Sequence, residues 1–424
     1  MIGQGYVGLT AAVCLAEAGH NVIGVERDHW RLAELREGRP PFFEPGAADA
    51  LEAQLNAGRL AFVEAMAEVP RADIVLVAVG SPQLPSGAPD LSQVSAAVAE
   101  IVALPEQPGA IVLKSTVPPG TSDRLVAEYP SLRERFVFSP EFLSQGSAIA
   151  DWQHPSRLVV GLYEPALEPL MRDLYRGIDA PVVTATPVDA EMIKYASNAF
   201  LATKLSFVNE IANVCEAIGA DIQQVTAGMG MDPRIGPRYL GAGIGYGGSC
   251  FPKDTRALTY LSHLSGAPMR LLEAVISVNE AQRLRPVSAI RSALDGVGGR
   301  PAVAVLGLAF KPGTDDLREA PSHGVVAELA ASGYEVRAWD PALDAERIRT
   351  AFPGAVPAST LDAALSEAAA ACVLTEWEQV VTADWERLAA SMVAPSFVFD
   401  GRNALDAAAV TRGGGKYQAV GRRL

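Results

Sequence analysis

The stretch GYGGSCFPKD (residues 245–254) collects the residues best suited to covalent chemistry. Gly243, Gly245, Gly247 and Gly248 lead into Cys250, and Lys253 and Asp254 follow closely. Glycines let backbone N–H groups approach a ligand, and a thiol in an electropositive, amide-rich loop can ionise and act as a nucleophile. An isolated cysteine is ordinarily a small core residue, but the glycines and charges around Cys250 argue for chemistry. Cys14, Cys215 and Cys372 sit in apolar helix or strand patterns and read as core. In EMIKYASN, Lys194 and Asn198 are four apart and project from one helical face. Such a pair can stabilise an oxyanion and hold a water, although the spacing alone favours a solvated lysine and a surface amide. SPEFLSQG places Glu141 just after a predicted strand, and LKSTVPPGT does the same for Ser115 and Thr116. Parallel sheets present ligand-binding residues at that edge, while a turn or cap role describes each equally well.

A second constellation opens the chain. In MIGQGYVGL, Gly3, Gly5 and Gly8 fit G-x-G-x-x-G, the phosphate-cradling turn between a strand and a helix, with Tyr6 and Val7 inside it. The helix LTAAVCLAEAGH and the strand NVIGVERD follow, and Glu26 ends that strand about 20 residues beyond the glycines. An acid there accepts hydrogen bonds from the ribose hydroxyls of NAD and repels the 2′-phosphate of NADP. Only Met1 and Ile2 precede Gly3, where a central strand needs about five residues more. The native protein is therefore expected to begin a few residues earlier, with an apolar run leading into Ile2.

The 424 residues are enough for two or three domains, and 49% hydrophobic with 20% charged residues is ordinary for a globular chain. The formal net charge of -14 argues against nucleic acid as a partner. No apolar run approaches the ~20 residues of a membrane helix, and no signal-peptide pattern opens the chain. Four scattered cysteines without a C-x-x-C pair fit a reducing cytoplasm and no metal site. An anionic ligand would need a local basic cluster, for which Arg234, Lys253, Lys311, Arg318 and Arg402 are the candidates.

Short apolar runs (ADIVLVAVG, GAIVLKSTV, RFVFSP, RLVVGL) alternate with helical or loop segments, which predicts a parallel sheet covered on both faces. From Asp189 the pattern turns helical, beginning with one long helix that runs without internal glycine to Gly219. DGVGGRP reads as a linker, and AVAVLGLAF, HGVVAELAASG and YEVRAWD as a second βαβ unit, with AACVLTEW and SFVFDGRN as later strands. The expected plan is α/β: two Rossmann-like doubly wound domains, residues 1–186 and 297–424, joined by a long central helix and a helical middle domain, residues 187–296.

GQGYVGL, KSTVPPGT, SPEFLSQG, EMIKYASNAFLATKLSFVNEIA, GYGGSCFPKD and LAFKPGTDDLREAPS occur in the order found in nucleotide-sugar 6-dehydrogenases, so the chain resembles the UDP-glucose/GDP-mannose dehydrogenase family from Ile2 to about Arg422. The resemblance implies oxidation of a sugar C6 alcohol to the acid with NAD, twice at one site. It implies a nucleophile in Cys250, a general base in Glu141, an oxyanion stabiliser in Lys194, and a water network held by Asn198, Asp254 and Thr116. It assigns NAD contacts to Gly3, Gly5, Tyr6, Val7, Gly8, Glu26, Arg31, Ser81, Ser115, Thr116, Lys253 and Arg318. It assigns the sugar nucleotide to Glu141, Phe142, Leu143, Lys194, Asn198, Tyr239, Tyr246, Gly247, Lys311 and Arg402, and makes Arg234 an arginine donated across a homodimer. GGSCFPKD, without the histidine that N-acetylhexosamine enzymes carry before the cysteine, points to UDP-glucose; GDP-mannose, or a catalytically silent nucleotide-sugar-binding protein, is the alternative. The chain departs from the family at Gln145, where an acid is usual, at Ser81, where a threonine is usual, and in its first strand.

Overall fold

The computed structural model describes residues 1–422, which form two compact units: Met1–Ser197 with Arg256–Ser265, and Asn198–Thr255 with the chain from Gly266 onward. The first opens on Ile2 and the helix α1 (Tyr6–Glu17). Its strands are β1 (Val22–Val25), β2 (Leu60–Val63), β3 (Ile74–Val77), β4 (Ala110–Leu113), β5 (Phe136–Phe138), β6 (Leu158–Leu162) and β7 (Val182–Ala185), with α2 (Thr121–Glu128) after β4. Ile2 bridges parallel to both Val25 and Val77. Its amide donates to Leu76 O at 2.8 Å, and its carbonyl accepts from Ala78 at 2.9 Å. On the other side Val25 N donates to Met1 O and Gly3 N to Val25 O. Two residues thus join β2–β1 to β3–β4–β5, and the glycine turn leaves the sheet at the position of a central first strand.

The central strands β3, β4 and β5 are apolar throughout because both faces are covered. Leu76, Val112 and Val137 belong to one core cluster, and Val75, Val77, Ile111, Leu113, Phe136 and Phe138 to the other. The expected all-parallel sheet fails at one edge, where β6 runs antiparallel to β5, with Val137 opposite Leu162. The connection between them carries only the short helix Ala148–Gln153 and makes no crossover. It starts and ends at the carboxyl edge of β5, so the loop bearing Glu141 stays on the side where such sheets bind ligands.

The helix α3 (Pro187–Ile218) spans 32 residues. It stops where Gly219, at φ 82°, turns its amide back to Cys215 O at 2.9 Å, the left-handed helix ending glycine favours. After it come α4 (Phe251–Leu264) and the strands β8 (Ala302–Leu306), β9 (Glu335–Trp339), β10 (Ala355–Pro357), β11 (Ala370–Val373), β12 (Phe397–Asp400) and β13 (Lys416–Ala419). These form an all-parallel sheet in the order β10–β9–β8–β11–β12–β13, the doubly wound 3-2-1-4-5-6 arrangement. Cys215 and Cys372 are buried in the core of this unit and Cys14 in that of the first, where burial pushes the Cys14 thiol up to about 12.

Glu191, the fifth residue of α3, is fully buried. It accepts Gly120 N at 2.6 Å, Ser122 N at 2.8 Å and Ser122 Oγ at 2.6 Å, which fixes the start of α2. Burial raises its carboxyl to about 7, against the opposing pull of the Ser122 and Gly120 donors. The folded state then holds a proton that the unfolded state, at the ordinary 4.5, has lost. This contribution to stability is complete below pH 4.5 and lost as pH rises through 7, to a total of at most about 3 kcal/mol. Urea denaturation should therefore show Glu191→Gln gaining on the unsubstituted protein between pH 5 and 7. Parallel stability curves over that range would contradict this assignment.

Candidate active site

The glycine turn is built from two crowded positions and one open one. Gly3 has φ 84°, and a Cβ there would lie 2.8 Å from Ala78 O; a Cβ on Gly8 would overlap the Gly3 carbonyl. At Gly5 a Cβ would meet nothing within 4 Å. Gly5 is the N-cap of α1 and no side chain caps the helix, whose first amides therefore face open space beside the positive end of the dipole. Glu26 stands at the end of β1 and accepts Gln4 N at 3.2 Å and Asp28 N at 3.0 Å, each oxygen keeping capacity for a hydroxyl. An adenosine ribose and a pyrophosphate fit this arrangement. Tyr6 and Val7 are half-buried in the first turn of α1, while Arg31 is exposed on the helix His29–Arg36.

The second βαβ turn is closed by comparison. A Cβ on Gly307, at φ 81°, would lie 2.5 Å from Thr375 Cβ. Asp340, at the end of β9, is buried and spent on Leu308 N at 2.7 Å, Ala309 N at 3.0 Å and Trp377 Nε1 at 3.1 Å. That acid has no access to a ribose, so the second domain shares the winding of the first without its dinucleotide site.

Beside the turn of the first unit, Ser115 Oγ donates to Val79 O at 2.7 Å and Ser81 Oγ to Thr116 O at 2.8 Å. The hydroxyl kept at Ser81 thus holds the backbone of Thr116. Lys194 is not the solvated lysine its spacing suggested: it is 3% exposed, and Nζ donates to Glu141 O at 2.6 Å and to Glu141 Oε1 at 3.0 Å. The other carboxylate oxygen accepts Leu143 N at 2.6 Å. Phe142 lies between two cations, with Lys194 Nζ 5.1 Å and the Arg157 guanidinium 3.9 Å from its ring centroid. Burial lowers the pKa of Arg157, which also reaches Ser197 Oγ at 3.1 Å. Arg157 went unnoticed because HPSRLVVG reads as the entry to a strand. Lys114 was missed too; it is buried under Ser139 O at 3.1 Å and Tyr175 OH at 3.0 Å, and over the Trp152 ring.

In the second unit, Asn198 Nδ2 donates to Asp254 Oδ2 at 2.6 Å, and both groups are buried. Lys253 Nζ holds the other oxygen at 2.8 Å. Cys250 immediately precedes α4 and is exposed, and its carbonyl accepts Asp254 N at 2.8 Å. The thiol therefore sits at a helix N-terminus, where positive potential favours the thiolate. The hydrogen-bonded Asp316 carboxylate raises the pKa of Arg318, whose carbonyl accepts Gly248 N at 3.0 Å.

The loop ahead of Cys250 is pinned by buried amides that sequence reasoning passed over. Asn209 Oδ1 accepts Gly243 N at 2.8 Å, Gln282 Nε2 donates to Gly243 O at 2.7 Å, and Asn279 brackets Tyr246 through its N and O. A Cβ on Gly247 would strike Glu319 O, and Gly248 lies against the Phe310 ring. Arg402 donates to Leu374 O at 2.7 Å and Phe310 O at 3.3 Å and lies against Gly243. Lys311 stands next to Phe310, its Nζ 5.7 Å from that ring. Tyr246 and Tyr239, the latter at φ 62°, both pack on Phe251. Arg234 is not part of the cluster: its side chain is 88% exposed and forks onto Asp232.

A family model for the UDP-glucose/GDP-mannose dehydrogenase NAD binding domain matches residues 1–179, the family's central-domain model matches 188–281, and its UDP binding domain model matches 304–407. The chain belongs to the UDP-glucose/GDP-mannose dehydrogenase family. In this family the open turn at Gly5 lies in the NAD-binding domain, and NAD is the cofactor of the oxidoreductase. Among its relatives, a UDP-glucose 6-dehydrogenase of Bacillus subtilis is 41% identical over 100% of this chain and 97% of its own length. One from Pseudomonas aeruginosa is 42% identical over 100% and 97%. A solved UDP-glucose dehydrogenase from Pyrobaculum islandicum superposes with a TM-score of 0.88 at 36% identity, covering 100% of this chain and 97% of that one. Among the described residues no helix is long and apolar enough to cross a membrane, and no group of His, Cys, Asp and Glu is placed to hold a metal ion.

The glycines give a paired test. Gly5→Ala should keep its thermal midpoint within about 2 °C and lose NAD affinity at least about tenfold, because its methyl enters only the space the pyrophosphate needs. Gly8→Ala should lower the midpoint itself. Calorimetric titration with NAD alongside thermal unfolding checks both; a Gly5→Ala protein that binds NAD normally would contradict the placement.

Proposed function

We propose that this protein oxidises the C6 alcohol of UDP-glucose to the carboxylate of UDP-glucuronate. The observation that carries the reading is a pair of buried polar contacts at adjacent turns of α3, Lys194 with Glu141 and Asn198 with Asp254, together with an exposed Cys250 four residues before Asp254. NAD, when bound, accepts a hydride from C6 in each of two successive oxidations. The Cys250 thiolate adds to the aldehyde carbon to give a thiohemiacetal, and after the second oxidation it holds the acyl group as a thioester. The Lys194 ammonium stabilises the oxyanion on C6. Glu141 takes the proton of the water that attacks the acyl carbon, and the thiolate leaves. Asn198 and Asp254 orient water and assist proton transfer with Thr116, and Lys253 Nζ donates to the Asp254 carboxylate.

Tyr246, Gly247, Lys311 and Arg402 hold the sugar nucleotide; Lys311 and Arg402 lie within the match to the family's UDP binding domain. The pairing of Arg234 with Asp232 leaves it exposed for a second copy of the chain. Phe200, Phe207 and Val214, spaced by seven on α3 and all at least half exposed, supply an apolar seam for that homodimer. Four scattered cysteines without a C-x-x-C pair suit a reducing cytoplasm.

Incubation with UDP-glucose and NAD should yield NADH and acid in a ratio of two to one. In Cys250→Ala, acid formation should fall by more than about a thousandfold while calorimetry still detects UDP-glucose binding. A Cys250→Ala protein that makes acid at the normal rate would overturn the mechanism, and preferential turnover of GDP-mannose would overturn the substrate.

A further inference from the structure

Glu44 belongs to none of the motifs that carry the proposed chemistry, yet it is buried and wholly engaged in joining two of them. Its Oε2 accepts the Tyr6 hydroxyl at 2.6 Å and Gly146 N at 2.6 Å, and its Oε1 accepts Ala148 N at 2.8 Å. The Tyr6 hydroxyl also lies 3.2 Å from Ser144 O. Tyr6 is the first residue of α1, directly behind the open Gly5, and its ring packs on Phe42 with centroids 5.3 Å apart. Gly146 and Ala148 close the loop that begins with Glu141, and Asp151 holds the middle of that loop through Ser144 N at 2.8 Å.

A buried carboxylate is tolerated only when its oxygens are satisfied, and bonds to an ionised acceptor are among the stronger ones. Burial and the Glu44 carboxylate both raise the Tyr6 pKa, so the phenol keeps its proton and remains a donor. One carboxylate therefore binds the first helical residue of the dinucleotide turn and two amides of the general-base loop at once. We propose that Glu44 is a positioning residue that, through Tyr6, ties the dinucleotide turn to the Glu141 loop, so that NAD seated on the turn holds the loop in its working position. The inference rests on the oxidation proposed above for the role of the loop, but the tie itself needs only NAD.

Two variants separate this coupling from plain bracing. Tyr6→Phe removes the link and leaves both amide bonds of Glu44 in place. Glu44→Gln turns one acceptor into a donor that faces backbone N–H groups. Amide hydrogen exchange of the full chain with and without NAD should show residues 144–148 slowed about tenfold by NAD in the unsubstituted protein, and little slowed in Tyr6→Phe. With UDP-glucose as substrate, Tyr6→Phe should lose about tenfold in kcat with KM for UDP-glucose within about twofold, and the double variant should be no slower than Glu44→Gln. NAD protection that is absent in the unsubstituted protein, or that survives intact in Tyr6→Phe, would overturn the proposal, as would multiplicative losses in the double variant. A protein that shows the exchange effect but does not oxidise UDP-glucose would leave the coupling standing and refute the substrate reading.

Discussion

The buried contact between Lys194 and Glu141 is the constraint from which the first unit's site follows. An ammonium and a carboxylate that both leave water lose several kcal/mol of hydration each, and recover it only in close, well-aligned contact. Here the lysine takes both the side chain and the main-chain carbonyl of Glu141, and Leu143 N takes the remaining carboxylate oxygen. The loop cannot shift without stranding a buried charge, so the sheet has to deliver it to α3. The antiparallel turn from β5 to β6 does this by keeping residues 139–157 at one edge. Glu191, one turn earlier on α3, fixes the end of the neighbouring loop that carries Ser115 and Thr116. A single helix thereby sets the positions of two loops from successive strands.

The second unit solves a similar problem with neutral groups. A glycine-rich loop has little preference for one conformation, and the segment before Cys250 is held by the side-chain amides of Asn209, Asn279 and Gln282 acting as substitutes for a neighbouring strand. Close approaches by Glu319 O and the Phe310 ring leave no room for side chains at Gly247 and Gly248. The glycines thus have a packing reason of their own. This scaffold fixes the position of Cys250 at the start of α4.

Much of this was legible in the sequence because the signals are local. The turn glycines, Glu26, the strands of both sheets and the long helix announce themselves through spacing and apolar runs. Burial of Lys194 was not legible, because its partner lies 53 residues away and only the fold brings it near. The same holds for Glu44, 102 residues from Gly146, and for Asn279, 33 residues from Tyr246. The antiparallel β6 escaped because a strand buried on both faces reads the same in either direction. Two βαβ units also look alike as patterns; the engagement of Asp340 with backbone and Trp377, against the half-open Glu26, distinguishes the second turn from the first.

The central claim is that an acyl group forms on Cys250 and is released by water that Glu141 activates. The most direct measurement is intact and peptide mass spectrometry of Glu141→Gln after mixing with UDP-glucose and excess NAD. The expected result is a covalent adduct on the Cys250 peptide, with the mass of the sugar nucleotide less the hydrogens removed in two oxidations, persisting while NADH formation stops after the first turnover. Continued turnover at the normal rate with an unmodified Cys250 would contradict it.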